Sequence, residues 1–167
     1  MRARVIVLGI VVLCVGAIGS ISAQDQLAQL RQDLKAPNPG LRAQAAMKLG
    51  ALGRAAKAAV PDLAIAVLDR DLNVRYWAAT ALRAMGPDAK PAIPALVKAL
   101  ATFAGGSPAL EGPPRYYADI RSVAAEALGA IGAEAKEAVP ALRQAANDSS
   151  PDVKEAAAAA LAQIEKR

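Results

Sequence analysis

Histidine is absent from this sequence, and its one cysteine, Cys14, sits in an apolar stretch near the N-terminus. Downstream of that stretch the chain has no imidazole base, no thiolate, no disulfide and none of the usual zinc ligands. Phosphate-cradling glycine loops, nucleophile elbows and metal-ligand spacings are missing too. No catalytic residue, metal or cofactor is therefore expected, and stability must come from packing. Aromatic residues make up 3% of the chain. Beyond the N-terminal stretch they are Tyr76, Trp77, Phe103, Tyr116 and Tyr117, all in or beside the middle of the chain. A strong excess of one charge is also lacking: 20 basic residues face 15 acidic ones, and setting aside Arg2 and Arg4 leaves a net of +3. Nucleic-acid binding calls for a continuous basic stripe. The charges here are too few and too scattered, so no nucleic-acid partner is expected.

Arg2 and Arg4 precede an apolar run of 15 residues, 5–19, which is followed by Ser20, Ile21, Ser22 and Ala23. That order predicts a secretory signal peptide over residues 1–23, cut after Ala23, and places the mature chain in the periplasm or outside the cell. The run is shorter than the roughly 20 residues a helix needs to cross a bilayer core. The alternative is an uncleaved N-terminal helix that anchors the chain to a membrane. Leu13 before Cys14 is too large for a lipoprotein-type processing site, so no lipid anchor is expected.

The remaining 144 residues, 24–167, suit one folded unit, and they repeat. Leu41, Arg42, Ala45, Ala46, Leu49, Leu52 and Gly53 recur 33 residues later as Val74, Arg75, Ala78, Ala79, Leu82, Met85 and Gly86. A third copy reads Ile120, Arg121, Ala124, Ala125, Leu128, Ile131, Gly132, and a fourth reads Val153, Lys154, Ala157, Ala158, Leu161, Ile164, Glu165. Relative positions 0, 4, 8 and 11 fall within about 80° of arc at 100° per residue, one buried helix face. Asn38, Asp71 and Ser150 are expected N-caps, with Pro39 and Pro151 at first helical positions. Gly53, Gly86 and Gly132 are expected to close their helices in a left-handed turn. Asp71, Asp119 and Asp152, at or near helix starts, are read as partners of the free N–H groups there rather than as catalysts.

Each of these glycines opens a second frame, G-x-x-A-x-x-A-[VI]-P-x-L. It appears as Gly53, Ala56, Ala59, Val60, Pro61, Leu63; as Gly86, Ala89, Ala92, Ile93, Pro94, Leu96; and as Gly132, Ala135, Ala138, Val139, Pro140, Leu142. The proline belongs in a first helical turn, where its missing N–H breaks no bond. Residues 24–35 keep Leu27, Leu30 and Leu34 but lack the proline, as suits a terminal cap. Four helix pairs follow, over about 24–56, 57–89, 90–135 and 136–167, with a loop insertion at 101–119 in the third. The fold class is all-α, a superhelical solenoid behind a signal-peptide helix.

These two frames resemble HEAT repeats, in particular the short bacterial type named after phycobilisome lyases, over essentially all of 24–167. The resemblance specifies fold more closely than function, since similar repeats serve as scaffolds, inhibitors, lyases and nucleic-acid enzymes. It implies that Arg42, Arg75, Arg121 and Lys154 form a structural ladder, pairing with acids such as those at neighbouring helix starts. It also implies that the second helix of each pair lines the concave side.

Tyr76 then points into the groove with Arg83, and Trp77 lies on the flank of that face, where it could also pack between repeats. The insertion ends Gly112, Pro113, Pro114, Arg115, Tyr116, Tyr117. Tyrosine and arginine on a loop have the composition of a binding hot spot, although the tyrosines of such a loop can also fold back on the solenoid. Tyr76, Trp77, Arg83, Arg115, Tyr116 and Tyr117 are thus the candidate contacts for a protein partner. A lyase-like or other enzyme using the groove for a small ligand is the alternative.

Overall fold

Alanine and leucine are strong helix formers, and the proline and glycine that break helices stand at the ends of the periodic segments. The computed structural model describes residues 22–102 and 120–166, and all regular structure in them is helical. The signal-peptide reading rests on residues that, but for Ser22 and Ala23, lie outside these, as does most of the insertion. The helices are α1 (Ala23–Asp33), α2 (Pro39–Leu52), α3 (Val60–Ala66), α4 (Leu72–Met85), α5 (Ile93–Thr102), α6 (Ile120–Ile131), α7 (Val139–Ala145) and α8 (Pro151–Glu165). Turns of 3₁₀ helix, Gly53–Ala59, Gly86–Ala92 and Gly132–Ala138, lead into α3, α5 and α7. Counted from glycine to glycine, the pairs are 23–52, 53–85, 86–131 and 132–165. We call the first helix of each pair A and the second B.

Each second frame is thus two segments. Its alanines, Ala56 and Ala59, Ala89 and Ala92, Ala135 and Ala138, are fully buried, and the backbone leaves helical geometry at Ala56 and Ala135. Gly53 and Gly86 lie at φ 54, ψ −131 and φ 58, ψ −130. That is the mirror image of extended backbone rather than a left-handed helical turn, a region that essentially only glycine enters.

The helix starts follow their caps. Asn38 accepts from the Gly40 amide at 2.8 Å and Asp71 from the Val74 amide at 3.1 Å. Ser150 stands at its N-cap position but its side chain makes no capping bond. Asp148 accepts from the Ser150 amide itself at 2.9 Å, which leaves the first-turn amides of α8 without a side-chain cap. Asp152 lies in the first turn of α8.

The helices form two rows. B helices pack closely on the next B helix, while successive A helices barely touch, so the B row is the tighter, inner side. Small residues permit this: a Cβ on Gly50 would come within 3.1 Å of the Ala81 Cα, and one on Gly129 within 3.0 Å of the Ala160 Cα. The expected faces of α4 and α6 are buried throughout. In α2, Leu41 and Leu52 are instead exposed, at 48% and 40%. Among the described residues α4 and α6 are each flanked by a B helix on both sides, whereas α2 has one on the α4 side only.

The register arginine reaches across the joints. Arg42 donates from Nε and Nη2 to both oxygens of Asp69, at 2.9 and 2.8 Å, and from Nη1 to the carbonyls of Ala36 and Pro37. Arg121, only 2% exposed, pairs with Asp148 at 2.6 Å. Both acids stand two residues before the N-cap of the next repeat's B helix, and Asp69 also accepts from the Asp71 amide. Arg75 donates to the carbonyls of Asp69 and Arg70. Lys154 is exposed and makes no ion pair among the described residues. Burial pushes the Asp69 carboxyl up, but hydrogen bonds from Arg42 and the Asp71 amide and the nearby arginine charges outweigh it, holding it below its ordinary value.

Two outcomes follow. Replacing Leu82, fully buried at the inter-row contact, by Ala should cost roughly 2–5 kcal/mol in urea unfolding; an unchanged midpoint would refute this register. Because the folded Asp69 pKa is depressed, its stabilisation is present above the unfolded carboxylate value of about 3.9 and is lost as pH falls through the folded value. The gap in melting temperature between wild type and Asp69→Asn should therefore be widest near neutrality and shrink below about pH 4. A gap independent of pH would disprove the charge-assisted joint.

Candidate functional site

Tyr76, Thr80 and Arg83 follow one another along one side of α4. Tyr76 and Trp77 are both half-buried against the core. Their rings meet edge to face, with centroids 5.2 Å apart and planes at 77°, an arrangement that aromatic quadrupoles favour. Trp77 faces the preceding repeat, on the same side of α4 as Ala81, and so combines packing with a partly accessible edge. Thr80 Oγ1 is buried without a hydrogen-bond partner among the described residues. Arg83 is 45% exposed and ion-paired with Glu126 of α6. Of the sequence candidates, then, Tyr76, Trp77 and Arg83 lie together on the centre of the B row. Arg115, Tyr116 and Tyr117 lie outside the described residues.

Two clefts open on the surface of the described residues, one beside this region and one away from it. One, of about 430 Å³, lies between α6 and α8 and is lined by Ser122, Glu126, Asp152, Glu155, Ala156 and Ala159. The other, of about 390 Å³, lies on the A side, lined by Lys90, Pro91, Ile93, Pro94, Glu134 and Glu137. In the second, the hydrogen bond and charge of Lys90 hold the Glu134 carboxyl below its ordinary value, and Glu134 raises Lys90 in turn. Both groups are thus kept charged, poorly suited to exchanging protons near neutral pH. No group of three or more His, Cys, Asp and Glu among the described residues could hold a metal ion.

Sequence reasoning did not single out Asp62, which is 8% exposed and takes Arg31 at 2.6 Å and Lys35 at 2.9 Å. Burial raises its pKa, but the bonds and charges of those two cations bring it below the ordinary value. It also passed over Asp88, which accepts from Arg54 at 2.6 Å, and Glu126. The signal for these was weak, since each acid is conspicuous only beside the preceding repeat.

Among the described residues no helix is long and apolar enough to cross a membrane. No curated protein matches the sequence. Among solved structures, the complex of CpcE and CpcF of phycocyanin lyase from Nostoc sp. PCC7120 superposes with a TM-score of 0.69 at 30% identity, over 88% of this chain. The match takes in 55% of that lyase chain, so this chain spans about half its length. An engineered protein matches with a TM-score of 0.62 at 22% identity, over 83% of this chain and 62% of its own, a likeness of fold alone. The family model for HEAT repeats matches residues 27–104 and 114–167. With its glycine-opened A segments, its B row and its register arginine, the chain belongs to the HEAT-repeat family.

Proposed function

We propose that the chain is an exported, non-catalytic scaffold that binds a protein partner on the inner face of its B row. Tyr76 and Trp77 form the centre of that site, and Arg83, Arg115, Tyr116 and Tyr117 contribute around it. The carrying observation is the edge-to-face Tyr76–Trp77 pair, half-exposed in the middle of the row. A rigid aromatic pair offers large contact area at little entropic cost, and tyrosine, tryptophan and arginine dominate interface hot spots. A second reading, a lyase-like use of the groove for a small ligand, is favoured by the likeness to a phycocyanin lyase complex. The open shape of the clefts supports the first reading over it, because small-ligand sites are concave and bury most of their ligand.

Export rests on Arg2, Arg4 and the apolar run after them. The expected product is a shortened chain in the periplasmic fraction or the medium, weighed by intact mass spectrometry; cytoplasmic protein at full precursor mass would rule export out. For the binding site, Tyr76→Ala and Tyr117→Ala should each weaken the partner complex by roughly 30-fold, about 2 kcal/mol, at matched stability. Glu155→Ala in the last repeat should change it little. Equal losses at Glu155 and at the two tyrosines, read by calorimetry, would displace the site from the centre.

A further inference from the structure

The charges at the repeat joints run in one direction. Among the described residues seven ion pairs join one repeat to the next: Arg31 and Lys35 to Asp62, Arg42 to Asp69, Arg54 to Asp88, Arg83 to Glu126, Lys90 to Glu134 and Arg121 to Asp148. In every one the cation belongs to the earlier repeat and the acid to the later. A repeat's forward edge is thus cationic and its rear edge acidic.

The forward edge of the fourth repeat keeps this chemistry. Lys136 stands in the register of Lys90, Arg143 in that of Arg31, and Lys154 in that of Arg42 and Arg121. All three are exposed. Lys136 and Lys154 make no ion pair among the described residues, and Arg143 pairs with Glu165 of its own repeat at 3.1 Å. Between them Ala158 and Ala162 are exposed, in the register of the buried Ala125 and of Gly129, which lies against Ala160 of α8.

A second copy stacked head to tail does not fit this edge. Where the second repeat carries Asp62 and Asp69 on its rear edge, the first carries Gln29 and Ala36. Where Ala81 and Ala160 meet the preceding helix, the first repeat has the exposed cation Lys48. Like charges across a contact disfavour it.

We propose that the forward edge of α7 and α8 docks a different protein, one presenting the acidic rear edge of a helix-pair repeat. Carboxylates of that partner meet Arg143 and Lys154, as Asp62 and Asp69 meet Arg31 and Arg42, and one of its helices packs on Ala158 and Ala162. This surface is separate from the one around Tyr76.

The test supplies the missing edge on the chain itself. Gln29→Asp, Ala36→Asp and Lys48→Ala together rebuild an acidic rear edge on the first repeat. That variant should assemble head to tail, its sedimenting mass rising with concentration, with an association at least about tenfold tighter than wild type. Wild type should sediment as a monomer. Adding Arg143→Glu and Lys154→Glu should return the variant to monomer with its helical circular dichroism unchanged, while adding Tyr76→Ala should leave assembly intact. An acid-edged variant that keeps its helices and stays monomeric would overturn the docking surface. A wild-type chain that already stacks, and ceases to with Lys154→Glu, would overturn the assignment to a different protein.

Discussion

How closely one B helix can approach the next governs the rest of the structure. A row of helices with leucine-sized side chains between them would spread apart, and the A helices, which scarcely touch one another, could not hold it. Here the facing positions are glycine and alanine: Gly50 lies against Ala81, and Gly129 against Ala160. The backbones come near enough for dispersion contacts to accumulate over the length of each helix. Larger side chains such as Leu49, Leu82 and Leu128 are thereby reserved for the contact between rows. Since each repeat touches only its neighbours, stability accumulates joint by joint.

The arginine–aspartate joint has a different character. Arg121 and Asp148 are nearly dry, and taking two charges out of water costs about as much as their attraction returns. What the joint supplies is register. Each carboxylate is anchored by the amide two residues along its own loop, and Arg42 also grips two carbonyls of its own repeat, so each guanidinium and its acid meet in one alignment. Open pairs such as Arg54–Asp88 lie near solvent and add little by comparison.

Much of this was legible in the chain's own periodicity. The 33-residue spacing, the buried face of α4, the closing glycines and the capping roles of Asn38 and Asp71 are local matters, and local sequence reports them. What failed depended on neighbours. Leu41 and Leu52 fit the helical face as well as Val74 and Met85 do, yet are exposed on α2, which among the described residues has a B helix on one side only. Ser150 has the chemistry of a cap but makes no capping bond, and its own amide goes to Asp148, which Arg121 of the previous repeat also holds. Gly50 and Gly129 look like weak points in a helix until the opposing alanine is seen. Tyr76 is half-buried against the core, its ring edge to face with that of Trp77.

The uniform direction of the charge at every joint carries an evolutionary consequence. An array whose links all run from cation to acid behaves as a directed polymer. A copied unit inserted in tandem meets complementary charge on both sides. A repeat added in tandem therefore needs no new pairing chemistry to join the row, and the insertion between α5 and α6 leaves the joints as they are, since it falls within a repeat.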